Sequence, residues 1–349
     1  MTSQSTGNAP SYVDNADINN DSTTDLIVAN FGDGTINTFL GNGNGTFRSQ
    51  TTLSTGGTNT KPNALAIGDI DKDGALDIVV ANSGTGTVIV FFGNGDGTLT
   101  SQTTFSIGTS SVPLGLSLGD LNSDGNLDLV VSDSINNVVL VYLGSNTGSF
   151  TLIRTLSSGV DSAPYGVAIQ DLNGDGRSDI AVSNSGSNNV GIFLSNGEAT
   201  FADQITYTTG AMPVSLIVTD LNKDGLYDIV TANYIENTIS VLLNNGGGRF
   251  KTQKVFSTGS GSSPYAVYYG DLNRDNNLDL AVANYETNKI GIFLGNGHGN
   301  FKIQKTFSTG DGSSPNDITI ADYNKDGRLD VITANSGKNS ASIFLSTCS

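Results

Sequence analysis

The chain has 349 residues and 36.1 kDa, and 33 acidic against 16 basic residues leave a formal charge of −17 and a pI near 4.1. That balance excludes sequence-independent nucleic-acid binding, which needs basic side chains on phosphates, and disfavours anionic lipid surfaces. No apolar run approaches the ~20 residues of a spanning helix, so direct membrane insertion is not expected, and the single cysteine, Cys348, leaves no internal disulfide.

In chain order, Thr2–Gly7 reads T-S-Q-S-T-G, text that returns as T-S-Q-T-T-F-S-I-G at Thr100–Gly108. From Asp17 onward D-x-[DN]-x-D, with one more Asp four residues on, recurs at Asp17, Asp69, Asp120, Asp171, Asp220, Asp271 and Asp322, at spacings of 49 to 52 residues. Each repeat reads as four short strands. In the second, P-N-A-L-A-I-G leads into the acidic loop, and D-I-V-V-A-N, T-V-I-V-F-F and T-L-T-S-Q-T-T-F-S follow. Val, Ile, Phe and Thr dominate these runs, and S-G-T-G, G-N-G-D-G and S-I-G-T-S-S between them are turn text. No segment sustains a 3.6-residue apolar period, so helix is not expected.

A four-stranded unit repeated seven times buries its faces by stacking radially into a closed ring. The expected fold is all-β: one seven-bladed β-propeller of four-stranded antiparallel blades over residues 1–349. The blades fall near 8–58, 59–109, 110–160, 161–210, 211–260, 261–311 and 312–349 with 1–7. The last unit lacks an outer strand, and the Thr2–Gly7 text is expected to supply it and close the ring.

The acidic loop carries the chemistry. Hard cations such as Ca²⁺ take six to eight oxygens, and a short loop can surround one. Loop positions 1, 3, 5 and 9 offer side-chain oxygens, and position 7 offers its carbonyl. The first three sets are Asp17, Asn19, Asp21, Thr23, Asp25; Asp69, Asp71, Asp73, Ala75, Asp77; and Asp120, Asn122, Asp124, Asn126, Asp128. The next two are Asp171, Asn173, Asp175, Arg177, Asp179 and Asp220, Asn222, Asp224, Leu226, Asp228. The last two are Asp271, Asn273, Asp275, Asn277, Asp279 and Asp322, Asn324, Asp326, Arg328, Asp330. Position 6 is Gly except for Ser22 and Asn276, and Ser tolerates the left-handed backbone least, which makes the first loop the weakest. The loops hold 22 of the 33 acidic residues, so seven divalent ions would offset most of the charge. Six or seven structural Ca²⁺ ions at one end of the ring are expected, in place of disulfides.

Units such as S-A-P-Y-G-V-A-I-Q-D-L-N-G-D-G-R-S-D-I-A-V, Ser162 to Val182, resemble the FG-GAP/VCBS repeats of integrin α-subunit propellers and many extracellular proteins. The resemblance spans essentially the whole chain. It implies a propeller with Ca²⁺ between the first and second strands of a blade. Integrins fill only some blades, whereas all seven loops qualify here. Literal F-G stands at Phe92-Gly93 and other blades have Leu-Gly or depart further, so the VCBS-type text is closer. Relatives implied by the resemblance include adhesion ectodomains, fungal sugar-binding propellers and polysaccharide lyases with propeller domains.

For function, the only histidine, His298, lies in the Gly-rich turn N-G-H-G-N, and no Ser/His/Asp or Cys/His set can be assembled. The expectation is therefore a non-enzymatic, monomeric, extracellular adhesion or binding module with a protein or glycan partner, its signal or anchor lying outside this sequence. A lectin is the alternative and a lyase-related domain the less favoured one. Candidate ligand residues are Asn30, Phe31, Asn233, Tyr234, Asn284 and Tyr285, where an aromatic follows the Asn that ends the second strand. Tyr12, Tyr165 and Tyr265, which follow prolines before the first strand, extend the aromatic set.

Overall fold

The computed structural model describes residues 1–48 and 51–346. Seven four-stranded antiparallel sheets make a seven-bladed β-propeller, with no helix among the described residues. The second blade shows the pattern: Pro62–Gly68 innermost, then Asp77–Asn82, Thr87–Gly93 and the outer Leu99–Ser106. The fourth blade adds a small hairpin of Ser195–Gly197 and Thr200–Phe201.

Each strand's composition matches its radial position. Second strands are buried at all six positions, hence runs such as D-I-V-V-A-N with no exposed face. The outer strands are mostly exposed and read T-T-L-S or I-T-Y-T. Every inner strand begins with Pro, whose missing N–H suits a first position, and its register slips just after, as between Pro10 and Tyr12 or Pro62 and Ala64. The apolar cores lie between blades rather than within one. Ile27, Ala29 and Ile36 of blade 1 meet Leu65, Ile78, Val80 and Ile89 of blade 2. Val28 and Phe39 meet Ile332 and Ile343 of blade 7 across the closure.

The N-terminal strand Thr2–Ser5 pairs antiparallel with Ser340–Phe344, Thr2 opposite Ile343 and Ser5 opposite Ser340, and so supplies the seventh blade's outer strand. Thr6 N–H donates to the Asn339 carbonyl at 3.0 Å and Ala9 N–H to its side-chain oxygen at 2.9 Å, fixing the entry into blade 1. Cys348 lies outside the described residues.

Candidate functional site

Two ends of the ring carry different chemistry. The acidic loops and Gly-rich turns share one end: Gly97 N–H of blade 2 donates to Ile18 O in the first loop, and Gly45 N–H of blade 1 to Tyr323 O in the seventh. All seven loops keep one backbone conformation, with left-handed φ at positions 4 and 6. Ser22 (φ 62°) and Asn276 (φ 62°) adopt it as Gly74 does (φ 89°), so the two departures from Gly keep the same turn.

Position 9 is built into the fold. Asp77 is fully buried; its Oδ2 accepts Ile70 N–H and its Oδ1 accepts Gly93 N–H, both at 2.8 Å. The same two bonds recur at Asp25, Asp128, Asp179, Asp228, Asp279 and Asp330, tying each loop to the end of the third strand. Burial pushes these carboxyls up, offset in part by the two N–H donors, with Asp228 reaching about 6. At position 5 the Oδ1 atoms of Asp21, Asp73, Asp124, Asp175, Asp224, Asp275 and Asp326 accept the N–H of Thr23, Ala75, Asn126, Arg177, Leu226, Asn277 and Arg328.

The second loop differs at position 3. Carboxylate oxygens of Asp69, Asp71 and Asp77 lie within 4.8 Å of one another, and the buried Asp69 Oδ1 has no hydrogen-bond partner. Three convergent carboxylates with an orphaned oxygen fit a hard divalent cation. In the other loops the Asn19, Asn122, Asn173, Asn222, Asn273 and Asn324 amides donate to the position-5 carboxylate at 2.9–3.3 Å, which ties the two side chains together without an ion. Asp17, Asp120, Asp171, Asp220, Asp271 and Asp322 at position 1 accept the position-6 N–H at 2.6–2.9 Å.

The opposite end is aromatic. The Tyr165 and Tyr265 hydroxyls are 2.6 Å apart, and Tyr234 and Tyr285 join Tyr265 with ring centroids at 5.8 and 5.9 Å. Tyr234 and Tyr285 are thus brought together, on blades 5 and 6. Phe31 belongs to a different contact: Lys61 Nζ sits 5.6 Å from its ring centroid. Asn30, Asn233 and Asn284 are buried and bonded within their own blades, to Thr35 and Asn37, to Thr238 and Ser240, and to Gln304. The residue that ends each second strand, Asn in six blades and Asp133 in the third, is buried in its own blade, while the Phe31, Tyr234 and Tyr285 rings stay half-buried beside it.

Below the tyrosines, a central cavity of about 470 Å³ is walled by inner strands and holds Asp14 and Asp317 with no basic residue among its lining. Burial raises Asp14 to about 6 and Asp317 to about 8, the latter raised further by the Asp14 charge and held back by the Val13 N–H at 2.9 Å. Sequence reasoning missed both. Superposing the repeats would have exposed them, because the positions equivalent to Asp317 are Tyr12, Ala64, Gly115, Gly166, Ser215 and Ala266, none of them charged.

The sequence pattern of the FG-GAP-like repeat matches residues 17–80, 69–131, 120–182, 171–231, 220–282 and 271–333. No curated protein matches the chain. Among solved structures, virginiamycin B lyase from Staphylococcus aureus superposes with a TM-score of 0.72 at 15% identity, covering 99% of both chains. A lectin from Agrocybe aegerita that recognises non-reducing terminal N-acetylglucosamine matches with a TM-score of 0.58 at 19% identity, over 94% of this chain and 86% of its own. BBS1N, in complex with ARL6DN, gives 0.65 at 13% over 99% and 94%. These likenesses concern the fold. They also correct one expectation: a propeller matched along its full length is a lyase, so the lack of a histidine-based set does not exclude catalysis.

Proposed function

The chain belongs to the FG-GAP-like repeat family, and from that premise we propose a calcium-stabilised extracellular propeller that binds a glycan at the tyrosine-rich end of its central channel. The observation that carries this reading is the Tyr165–Tyr265–Tyr234–Tyr285 cluster standing over a channel with carboxylates in its wall. Sugars present C–H faces that pack on aromatic rings and hydroxyls that pair with carboxylates and amides, and pre-formed concave sites with few polar groups favour such ligands. The lectin among the structural neighbours supports the reading at the level of fold.

Asp69, Asp71 and Asp77 are the residues that would hold calcium most directly, and the other six loops would bind it by turning their Asn amides away from the position-5 carboxylates. The ion supplies charge neutralisation where acids crowd a loop. Millimolar calcium outside cells suits such loops and favours an extracellular setting. The closed ring leaves its cores covered, which supports a monomer.

A protein partner is the second reading, favoured by the apolar side chains Ile135, Val160 and Ile235, all exposed in loops at the tyrosine end. A glycan array in calcium, followed by calorimetry on the best ligand, tests the main reading. Tyr234→Ala with Tyr285→Ala is expected to weaken binding at least tenfold at unchanged calcium stoichiometry. Full affinity in the double variant would move the site elsewhere.

A further inference from the structure

The wall of the central channel is not uniform around the ring. At the strand position of Asp14 the other blades carry Ala66, Ser117, Ala168, Ile217, Tyr268 and Thr319, and at the position of Asp317 no other blade carries a charge. Both carboxylates therefore fall in the sector of blades 7 and 1, with Tyr268 of blade 6 beside them. Leu116, Ala168 and Ile217 of blades 3, 4 and 5 make the facing wall apolar.

The two acids are held together across the closure. Asp317 Oδ2 accepts the Val13 N–H at 2.9 Å, so its carboxylate leans on the residue before Asp14. Asn15, on the other side of Asp14, donates its side-chain amide to Thr319 of blade 7. Behind them stands Tyr323, at a loop position that is Ile18, Ile70, Leu121, Leu172, Leu221 or Leu272 in the other blades. This side chain is 2% exposed, its hydroxyl makes no hydrogen bond, and it lies among Asp14, Thr319 and Tyr268. A buried polar network left incomplete in this way is costly unless a further group completes it.

The missing group is a cation. No lysine, arginine or histidine lines the cavity, although a buried carboxylate needs a positive partner or several donors. Burial, and after it the two acids, push the Tyr12 and Tyr268 hydroxyls up, so the neighbouring groups supply no positive charge either. At the mouth, Asp317 begins one strand position deeper than Tyr165 and Tyr265, about 3 Å along the strands. Tyrosine rings attract cations to their faces, and Glu286 adds a carboxylate beside Tyr234 at the rim.

We infer that the channel takes a protonated amine and, resting on the glycan reading above, that the ligand is an amino sugar with a free ammonium group. Its ring packs on the tyrosines, and the ammonium enters the channel to donate to Asp317 and Asp14. An N-acetyl group or a hydroxyl at that place brings no charge and leaves the carboxylates unneutralised. A hard metal ion is the poorer match, because this wall offers two carboxylates, whereas among the described residues three converge at Asp69, Asp71 and Asp77.

The test is titration calorimetry of the full chain in calcium with three tetrasaccharides of one β-1,4 backbone, built of glucosamine, N-acetylglucosamine or glucose. The glucosamine form is expected to bind at least tenfold more tightly than the other two. Asp14→Asn with Asp317→Asn keeps the hydrogen-bond acceptors and removes the charge. It should abolish the amine preference at an unchanged or higher melting temperature, which separates loss of binding from loss of fold. Equal binding of the three sugars, or a preference that the double variant keeps, overturns the inference and leaves the glycan reading standing. Loss of one calcium ion from the stoichiometry of the double variant gives the pair to a metal and overturns it too. Binding of no glycan, in this titration or on the array, removes the underlying reading as well.

Discussion

At the four positions that offer side-chain oxygens, the second acidic loop and the other six differ only at position 3, Asp71 against Asn, and that difference separates two ways of building the same turn. With Asn at position 3, as at Asn122, an amide N–H reaches the position-5 carboxylate at 3.0 Å and the loop is cross-linked without help. With Asp71 there is no such donor; three carboxylates converge and Asp69 Oδ1 is left without a partner. The backbone is unchanged between the two, with left-handed φ at positions 4 and 6 in both. Loop shape is therefore set by the backbone and the position-1 and position-9 carboxylates, while position 3 decides whether the position-5 carboxylate is bonded within the loop or carboxylates converge without a donor.

The widest break in this comparison comes from removing the ion everywhere. A site with Kd ten- to a hundredfold below the free calcium concentration contributes about 1.4–2.7 kcal/mol by linkage. If all seven loops bind, EDTA should lower the melting temperature steeply in a calorimetric scan. If the second loop alone binds, the fall should be that of one site. An unchanged melting curve would remove calcium from both halves of the comparison.

Position 9 gives the next largest effect and sharpens it. Asp128→Ala strands the Leu121 and Gly144 N–H groups, at about 1–3 kcal/mol each. Asp77→Ala loses the same two bonds in the second loop. Measured by denaturant unfolding, the two should cost alike in EDTA, and Asp77→Ala should cost more in calcium. Equal costs in both buffers would mean that the second loop holds no tighter ion.

The channel acids provide a control away from the loops. Asp317 keeps its proton to about pH 8 in the fold and, at its ordinary carboxylate value, gives it up near pH 4 when unfolded. Its contribution is thus most favourable below pH 4 and is lost as pH rises towards 8. Asp317→Asn should raise the melting temperature by several degrees at pH 8 and little at pH 4, with or without calcium. A pH dependence that the substitution leaves intact would assign it to the position-9 carboxylates instead.

The smallest change is the most direct. Asp71→Asn converts the second loop to the common type. It should stabilise the calcium-free chain by about 1 kcal/mol, the scale of one like-charge pair near a wet surface, and weaken calcium at that site about tenfold by titration calorimetry. Asn122→Asp should do the reverse in the third loop.

Much of this molecule was legible before the fold was known, because repetition makes local rules self-checking. The seven aspartate loops, the strand text between them and the Thr2–Gly7 match to an outer strand all follow from short-range pattern, and the pairing of Thr2–Ser5 with blade 7 agrees with it. The ligand face was read less well. Asn30, Asn233 and Asn284 stand beside aromatics in the chain, yet burial turns each amide inward, and Phe31 stands apart from Tyr234 and Tyr285 because its blade lies elsewhere on the ring.

What the sequence by itself determined is whatever depends on neighbours along the chain: strand periodicity, turn residues, the spacing of loop oxygens and the number of repeats. Only the tertiary structure decided what depends on closure. The ring sets Asp14 of blade 1 against Asp317 of blade 7, over 300 residues apart in the chain, in a cavity with no cation to pair them. It joins tyrosines of blades 4, 5 and 6 into one cluster. Charge and hydroxyl acquire their meaning there from distance through space, which no local pattern encodes.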